Sequence, residues 1–214
     1  MRQMARIVEQ STVPEHVGVI LELPLYRWIG LLAPELGLLG SIQSIKALVS
    51  ESSSLGIKTL SIWTFSLPGS LDLRYCQQRI EDATAKLCRS AGMELAVLLS
   101  DQDPPGMAAS AGNVNIFLTF DGKRQVVQAL RRASQVVCDA PLTERDVEAH
   151  LTTGQYPALD LIIRTSPTKC MQGFMLWQSV RSEYWFHESL LPFSGRDFHA
   201  ALRSFASRQR RYGA

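Results

Sequence analysis

Three groups of residues in this 214-residue chain have the types and spacing to do chemistry. Glu22 follows the apolar run Val17 to Leu21 and precedes Leu-Pro-Leu-Tyr-Arg-Trp at 23–28. A carboxylate at the end of a buried strand is a hard oxygen donor that can share Mg²⁺ with the phosphates of a substrate. A solvent-facing strand end without a function would read the same way. Arg164-Thr165-Ser166 closes a second apolar run, 159–163, and Lys169 follows shortly after. A planar guanidinium beside hydroxyls suits a diphosphate; an arginine that merely pairs a nearby carboxylate is the plainer alternative. The third group is Arg208-Gln-Arg-Arg-Tyr-Gly at 208–213, although the helix dipole alone favours basic residues in a last turn. The aromatic-rich stretch 174–186 fits a core more readily than a ligand site.

Those groups need elements to hold them. Apolar or β-branched runs at 17–21, 58–66, 93–100, 114–120 and 159–166 predict strands. Helical spacing predicts helices over 41–53, 73–90 with Gly92 as the stop, and 122 to about 137. Thr143 with Asp146 predicts a capped short helix to His150. A mixed segment around 182–186 and a closing helix over 197–211 complete the order, and 101–112 reads as an irregular loop. This alternation predicts an α/β fold: a single domain over 1–214 with a mostly parallel central sheet flanked by helices. Arg164 to Ser166 then lie where a parallel strand ends, the usual ligand position in open α/β sheets.

Composition narrows the classes. Twenty-two Lys and Arg against 20 Asp and Glu give a net charge of +2, which excludes a nucleic-acid binder working by bulk electrostatics. A chain of this length buries roughly 70% of its unfolded surface and needs no metal or disulfide to hold a core. Cys76, Cys88, Cys138 and Cys170 lack C-x-x-C spacing and read as reduced, mostly buried thiols. The stretch 17–40 is apolar, but Glu22, Pro24, Arg27, Pro34 and Glu35 interrupt it, so no transmembrane segment is expected. The amino-terminal residues lack a signal-peptide pattern, and a cytoplasmic location is the expectation.

The ordered segments 15–22, 56–66, 159–166 and 174–186, ending in Ser-Arg-Gln-Arg-Arg-Tyr-Gly at 207–213, resemble the cis-prenyltransferase family. The resemblance implies a single-domain α/β fold with a hydrophobic tunnel, a homodimer, and Mg²⁺-assisted condensation of an allylic isoprenoid diphosphate. It also implies roles residue by residue. Glu22, Arg27 and Ser66 would be catalytic; Arg27, Arg164, Ser166, Lys169 and Arg211 would bind diphosphate; Glu22 and Glu183 would be metal ligands. Leu25, Trp28, Trp63 and Phe65 would line a hydrophobic pocket.

The chain departs from the family pattern at several of these places. Glu22 replaces an aspartate, and Leu23-Pro24-Leu25-Tyr26 replace a small, polar phosphate cradle. Leu38 stands near the place of a histidine, Pro68 to Asp72 replace an Asn-Trp-Arg segment, and Cys170 and Gln172 replace an arginine and a serine. Lys169 and Arg181 are cations close enough in sequence to compensate. Two functions follow as expectations. One is an atypical prenyltransferase acting on dimethylallyl, geranyl or farnesyl diphosphate, with irregular coupling or cyclisation open to it. The other is a catalytically degenerate relative serving as a heteromeric partner subunit or isoprenoid-binding module.

Overall fold

The computed structural model describes residues 13–22, 32–64, 71–98, 113–137, 141–187 and 193–208. Strand β1, His16–Leu21, is buried at every position, as expected of a parallel strand covered on both faces. It pairs in parallel with β2, Thr59–Thr64, and with β5, Leu161–Arg164. Outward from β2 lie β4, Val114–Phe117, and β3, Leu95–Leu98. Outward from β5 lies β6, Glu183–Phe186. Among the described residues this makes one parallel six-stranded sheet in the order β3-β4-β2-β1-β5-β6.

The helices are α1, Pro34–Ser54; α2, Leu73–Ser90; α3, Gly122–Val136; α4, Glu144–His150; and α5, Gly195–Ala206. One face of the sheet, with Val17, Val19, Leu60 and Ile163, packs against Leu38, Ile42 and Ile45 of α1, Ile80 of α2 and Phe198 of α5. The opposite face, with Ile20, Trp63, Phe117 and Ile162, packs against Tyr156, Phe174 and Met175. The alternation of Val19 and Ile20 between the two clusters is the period-2 geometry of a strand. Gly18 lies close to the second cluster, where an added Cβ would come within 2.9 Å of the Leu159 side chain and 3.1 Å of Phe174.

Element boundaries correct the sequence reading in three places. Helix α1 starts at Pro34, seven residues before the expected Ser41. Proline is pre-organised for a first turn, and Gly40, read as a boundary, is buried inside the helix. The helix cost of its glycines, about 1 kcal/mol each, is outweighed by burial of Leu38 and Ile42. Helix α5 starts at Gly195 because Ser194 and Asp197 form a capping box, with Ser194 Oγ donating to the Asp197 carboxylate at 2.6 Å. It ends at Ala206 rather than Arg211. Strands β4 and β5 are shorter than their apolar runs, stopping at Phe117 and Arg164, whereas β1 starts one residue earlier than its run, at His16. Helices α2 and α4 match their expected spans, α4 with the Thr143–Asp146 capping box. Among the described residues no helix is long and apolar enough to cross a membrane.

His16 ties the amino ends of the strands together. Its Nδ1 lies 2.9 Å from the Pro157 carbonyl and its Nε2 2.9 Å from Ser61 Oγ. The carbonyl can only accept, so Nδ1 carries the proton and Nε2 accepts from the serine. Burial pulls the His16 pKa down from 6.5 to about 4, against the opposing pull of the Pro157 carbonyl and Asp160. The unfolded ring therefore takes up a proton before the folded one does. The neutral ring's contribution is complete above pH 6.5 and is lost as pH falls through about 4, about 3 kcal/mol in all. Urea unfolding between pH 7 and 4 should show this decline, and His16→Asn, less stable at pH 7, should flatten it.

Candidate functional site

The connections leaving β1 and β5 run in opposite directions along the sheet, β1 to β2 and β5 to β6. Their carboxyl ends therefore form a topological switch point, the position whose crevice binds ligands in open α/β sheets. Glu22 lies immediately after β1, and Arg164 is the last residue of β5, in register with Ile20. The two sequence candidates are thus delivered to one place.

They meet in a buried network. Arg164 Nη2 donates to Glu22 Oε2 at 2.5 Å, and Ser166 Oγ donates to the same oxygen at 2.6 Å. Arg164 Nε donates to Ser166 Oγ at 3.0 Å, and Nη1 donates to the Cys170 carbonyl. The Thr165 hydroxyl accepts from the Glu22 N–H at 2.9 Å and donates to the Glu22 carbonyl at 2.6 Å. Arg164 is 1% exposed and Glu22 8%. Glu22 is therefore not the solvent-facing strand end that its sequence also allowed. The arginine that pairs a carboxylate and the arginine at the ligand crevice are the same residue.

The turn after β5 supports the guanidinium. Gln172, Gly173 and Met175 adopt left-handed backbone, with φ of 52°, 79° and 42°, and the turn packs on the start of α3. A Cβ on Gly122 would lie 1.9 Å from the Gly173 carbonyl oxygen, so only glycine permits that approach. Sequence reasoning missed both supports, the Cys170 carbonyl and the Gly122–Gly173 contact. The adjacent pairs Asp121-Gly122 and Gln172-Gly173 were the available signal.

The other candidates are more dispersed. Glu183 pairs with Leu161, which is level with Val17. It therefore lies five residues short of Glu22 along the strand direction, roughly 16 Å at 3.3 Å per residue, and two strands across. Within the chain the two carboxylates do not converge; Glu183 pairs instead with Arg208 at 2.8 Å. Lys169 is exposed and, with Tyr184, His187 and Arg208, lines a separate cleft of about 720 Å³ along β6. Of the thiols expected to be mostly buried, Cys76 and Cys88 are buried, and burial raises their pKa values, whereas Cys170 is exposed on the turn beyond the strand. Gln172 and Arg181 are exposed. Leu38 is fully buried in the core. Trp63 stacks on Phe174 with ring centroids 5.9 Å apart, within the second apolar cluster. Arg27, Ser66, Arg211, Leu25, Trp28, Phe65 and Cys138 lie outside the described residues.

Among the described residues no three His, Cys, Asp or Glu side chains group to form a metal cage. Among the described residues Glu22 supplies a carboxylate at the ends of β1 and β5. That fits Mg²⁺ carried by substrate phosphates and touched by one or two carboxylates.

The undecaprenyl diphosphate synthase family profile matches residues 105–213, half of the chain. A (2Z,6E)-farnesyl diphosphate synthase of Thermobifida fusca is 31% identical over 99% of this chain and 94% of that protein. The chain belongs to the cis-prenyltransferase family. An isoprenyl transferase of Streptomyces fradiae is 29% identical over the whole of this cis-prenyltransferase chain and 95% of its own. A short-chain Z-isoprenyl diphosphate synthase of Mycobacterium bovis is 39% identical over 47% of this chain and 42% of that protein. The fold is also that of lavandulyl diphosphate synthase from Lavandula x intermedia, solved in complex with dimethylallyl diphosphate. Its TM-score is 0.69 at 20% identity, covering 94% of this chain and 99% of that one.

The buried pair yields a stability prediction for this cis-prenyltransferase. Glu22→Ala strands a buried guanidinium and should cost about 3–5 kcal/mol in denaturant unfolding, whereas Glu22→Leu with Arg164→Met should recover most of it. Gly122→Ala should also destabilise, by about 2 kcal/mol or more, because the Gly173 backbone must move.

Proposed function

We propose that this prenyl transferase acts on short allylic diphosphates, dimethylallyl, geranyl or farnesyl, through the crevice at the ends of β1 and β5. The reaction is condensation with isopentenyl diphosphate or, as a variant, irregular head-to-middle coupling or cyclisation. The observation that carries the reading is the convergence of Arg164 and Ser166 on one anionic oxygen at the topological switch point. The names of the Thermobifida and Mycobacterium relatives support a short product.

In the proposed reaction the allylic C–O bond breaks, its electron pair leaves with the diphosphate, and the double bond of the second substrate attacks the cationic carbon before a proton is lost. Arg164 and Ser166 would hold a substrate diphosphate by charge-assisted hydrogen bonds. Glu22 would hold Mg²⁺, which when bound would supply charge neutralisation at the leaving group. Lys169, Arg27 and Arg211 are proposed as further diphosphate contacts, Ser66 with Arg27 as catalytic groups, Glu183 as a second metal ligand, and Leu25, Trp28, Trp63 and Phe65 as pocket walls. Excluding water protects the cation from hydrolysis. Homodimerisation is part of the proposal: β6 ends the sheet among the described residues, and Glu183 would then serve a site it does not reach in its own chain.

One observation favours a second reading, a partner subunit or isoprenoid-binding module without activity of its own. Arg164 is 1% exposed, and three of its nitrogens already donate within the protein. Purified protein incubated with Mg²⁺ and each allylic diphosphate, with and without isopentenyl diphosphate, decides between them by mass spectrometry of dephosphorylated products. A longer or rearranged alcohol that disappears with EDTA is the expected result, and its dependence on isopentenyl diphosphate separates regular from irregular coupling. No product in any combination would favour the second reading. In the active protein Arg164→Ala should lower kcat/KM by about 10²-fold or more.

A further inference from the structure

We propose that the Glu22 carboxylate holds on Arg164 and Ser166 the place that a diphosphate oxygen takes on binding, so that Glu22 competes internally for both groups. This rests on the reading of Arg164 and Ser166 as diphosphate-binding groups, and it deepens that reading into a rule for which head groups enter.

The contacts made by Glu22 Oε2 are those a phosphate oxygen would make. A hydroxyl at 2.6 Å and a guanidinium nitrogen at 2.5 Å converge on one anionic atom, the charge-assisted geometry shared by carboxylate and phosphate recognition. The guanidinium has almost no exposed surface. Among the described residues, a ligand would gain a place on it when one of its acceptors, Ser166, the Cys170 carbonyl or Glu22, withdraws.

Those acceptors differ in their freedom to withdraw. The Cys170 carbonyl is backbone, on a turn wedged against α3 by the Gly122–Gly173 approach. Ser166 lies two residues from Arg164 and belongs to the same recognition pair. Glu22 is a long, rotatable side chain whose backbone is fixed separately, by the Thr165 hydroxyl at both its N–H and its carbonyl. Its carboxylate can swing away while β1 stays in place. Exchange of one anion for another also leaves the buried arginine paired at the end points, avoiding the cost of an isolated buried charge.

A selectivity rule follows. A singly charged head group offers Arg164 no more than Glu22 does and does not displace it. A diphosphate, with more charge and more acceptor oxygens, does. A displaced Glu22 is then free to face the new anion's counter-cation.

The experiment titrates inorganic diphosphate calorimetrically, in metal-free buffer containing EDTA, into wild-type protein, Glu22→Gln and Arg164→Met. The expected result is binding at least about tenfold tighter to Glu22→Gln than to wild type, because a neutral amide competes weakly for the guanidinium, and loss of binding in Arg164→Met. A carboxylate that merely supports the fold, or serves only to recruit metal, predicts equal or weaker binding in Glu22→Gln. That result, with binding still dependent on Arg164, overturns the competitor while sparing the site. Binding indifferent to Arg164→Met overturns the diphosphate site and the competitor with it. Acetate supplies an independent readout of occupancy: it should raise the melting temperature of Glu22→Ala by several degrees and leave wild type unchanged. Equal shifts in both proteins would count against a carboxylate-shaped vacancy at Arg164.

Discussion

The buried ion pair between Glu22 and Arg164 is the interaction around which the functional end of the sheet is organised. A guanidinium with 1% of its surface exposed is tolerable only when its donors are satisfied and its charge is opposed. Glu22 does this from the end of β1, and Ser166 and the Cys170 carbonyl do it from the turn beyond β5. Arg164, together with the Thr165 and Ser166 hydroxyls on Glu22, consequently fastens the ends of β1 and β5 and the turn beyond β5 to one another.

The rest of the fold makes that arrangement possible. Parallel pairing of β1 with β5 puts Ile20 opposite Arg164 and leaves Glu22 just beyond, at the height where the arginine's fork arrives. Apolar clusters on both faces exclude water from the pair and strengthen its electrostatics. Trp63, Phe117, Phe120 and Phe174 interlock beneath one face with centroid separations of 5.3–6.2 Å. At the opposite end of the sheet His16 stays neutral and joins β1 to β2 and to the chain before β5. Chemistry-bearing groups and structural polar groups thus occupy opposite ends of the same strands.

Much of this was legible from residue order. The apolar runs, the Gly92 stop and the Thr143–Asp146 box located strands and helices because hydrophobic period and capping are local physics. The start of α1 was not legible. Gly37 and Gly40 argue against helix locally, and only burial of their neighbours against the sheet overrides them. Nor did the spacing of Cys170 in the sequence indicate that its contribution is a backbone carbonyl on an exposed turn.

By itself the sequence determined the α/β class, the family, and the candidacy of Glu22, Arg164 and Ser166, since each depends on residue type and on order along the chain. The tertiary structure alone decided which candidates meet. Strand register sets Glu22 against Arg164 and carries Glu183 to the other end of the sheet. Two carboxylates that look equivalent in the sequence therefore have different partners: one closes on a buried arginine in the crevice, the other on Arg208 at the edge. Register is a property of strands paired across more than 140 residues of intervening chain, and spacing along the chain does not encode it.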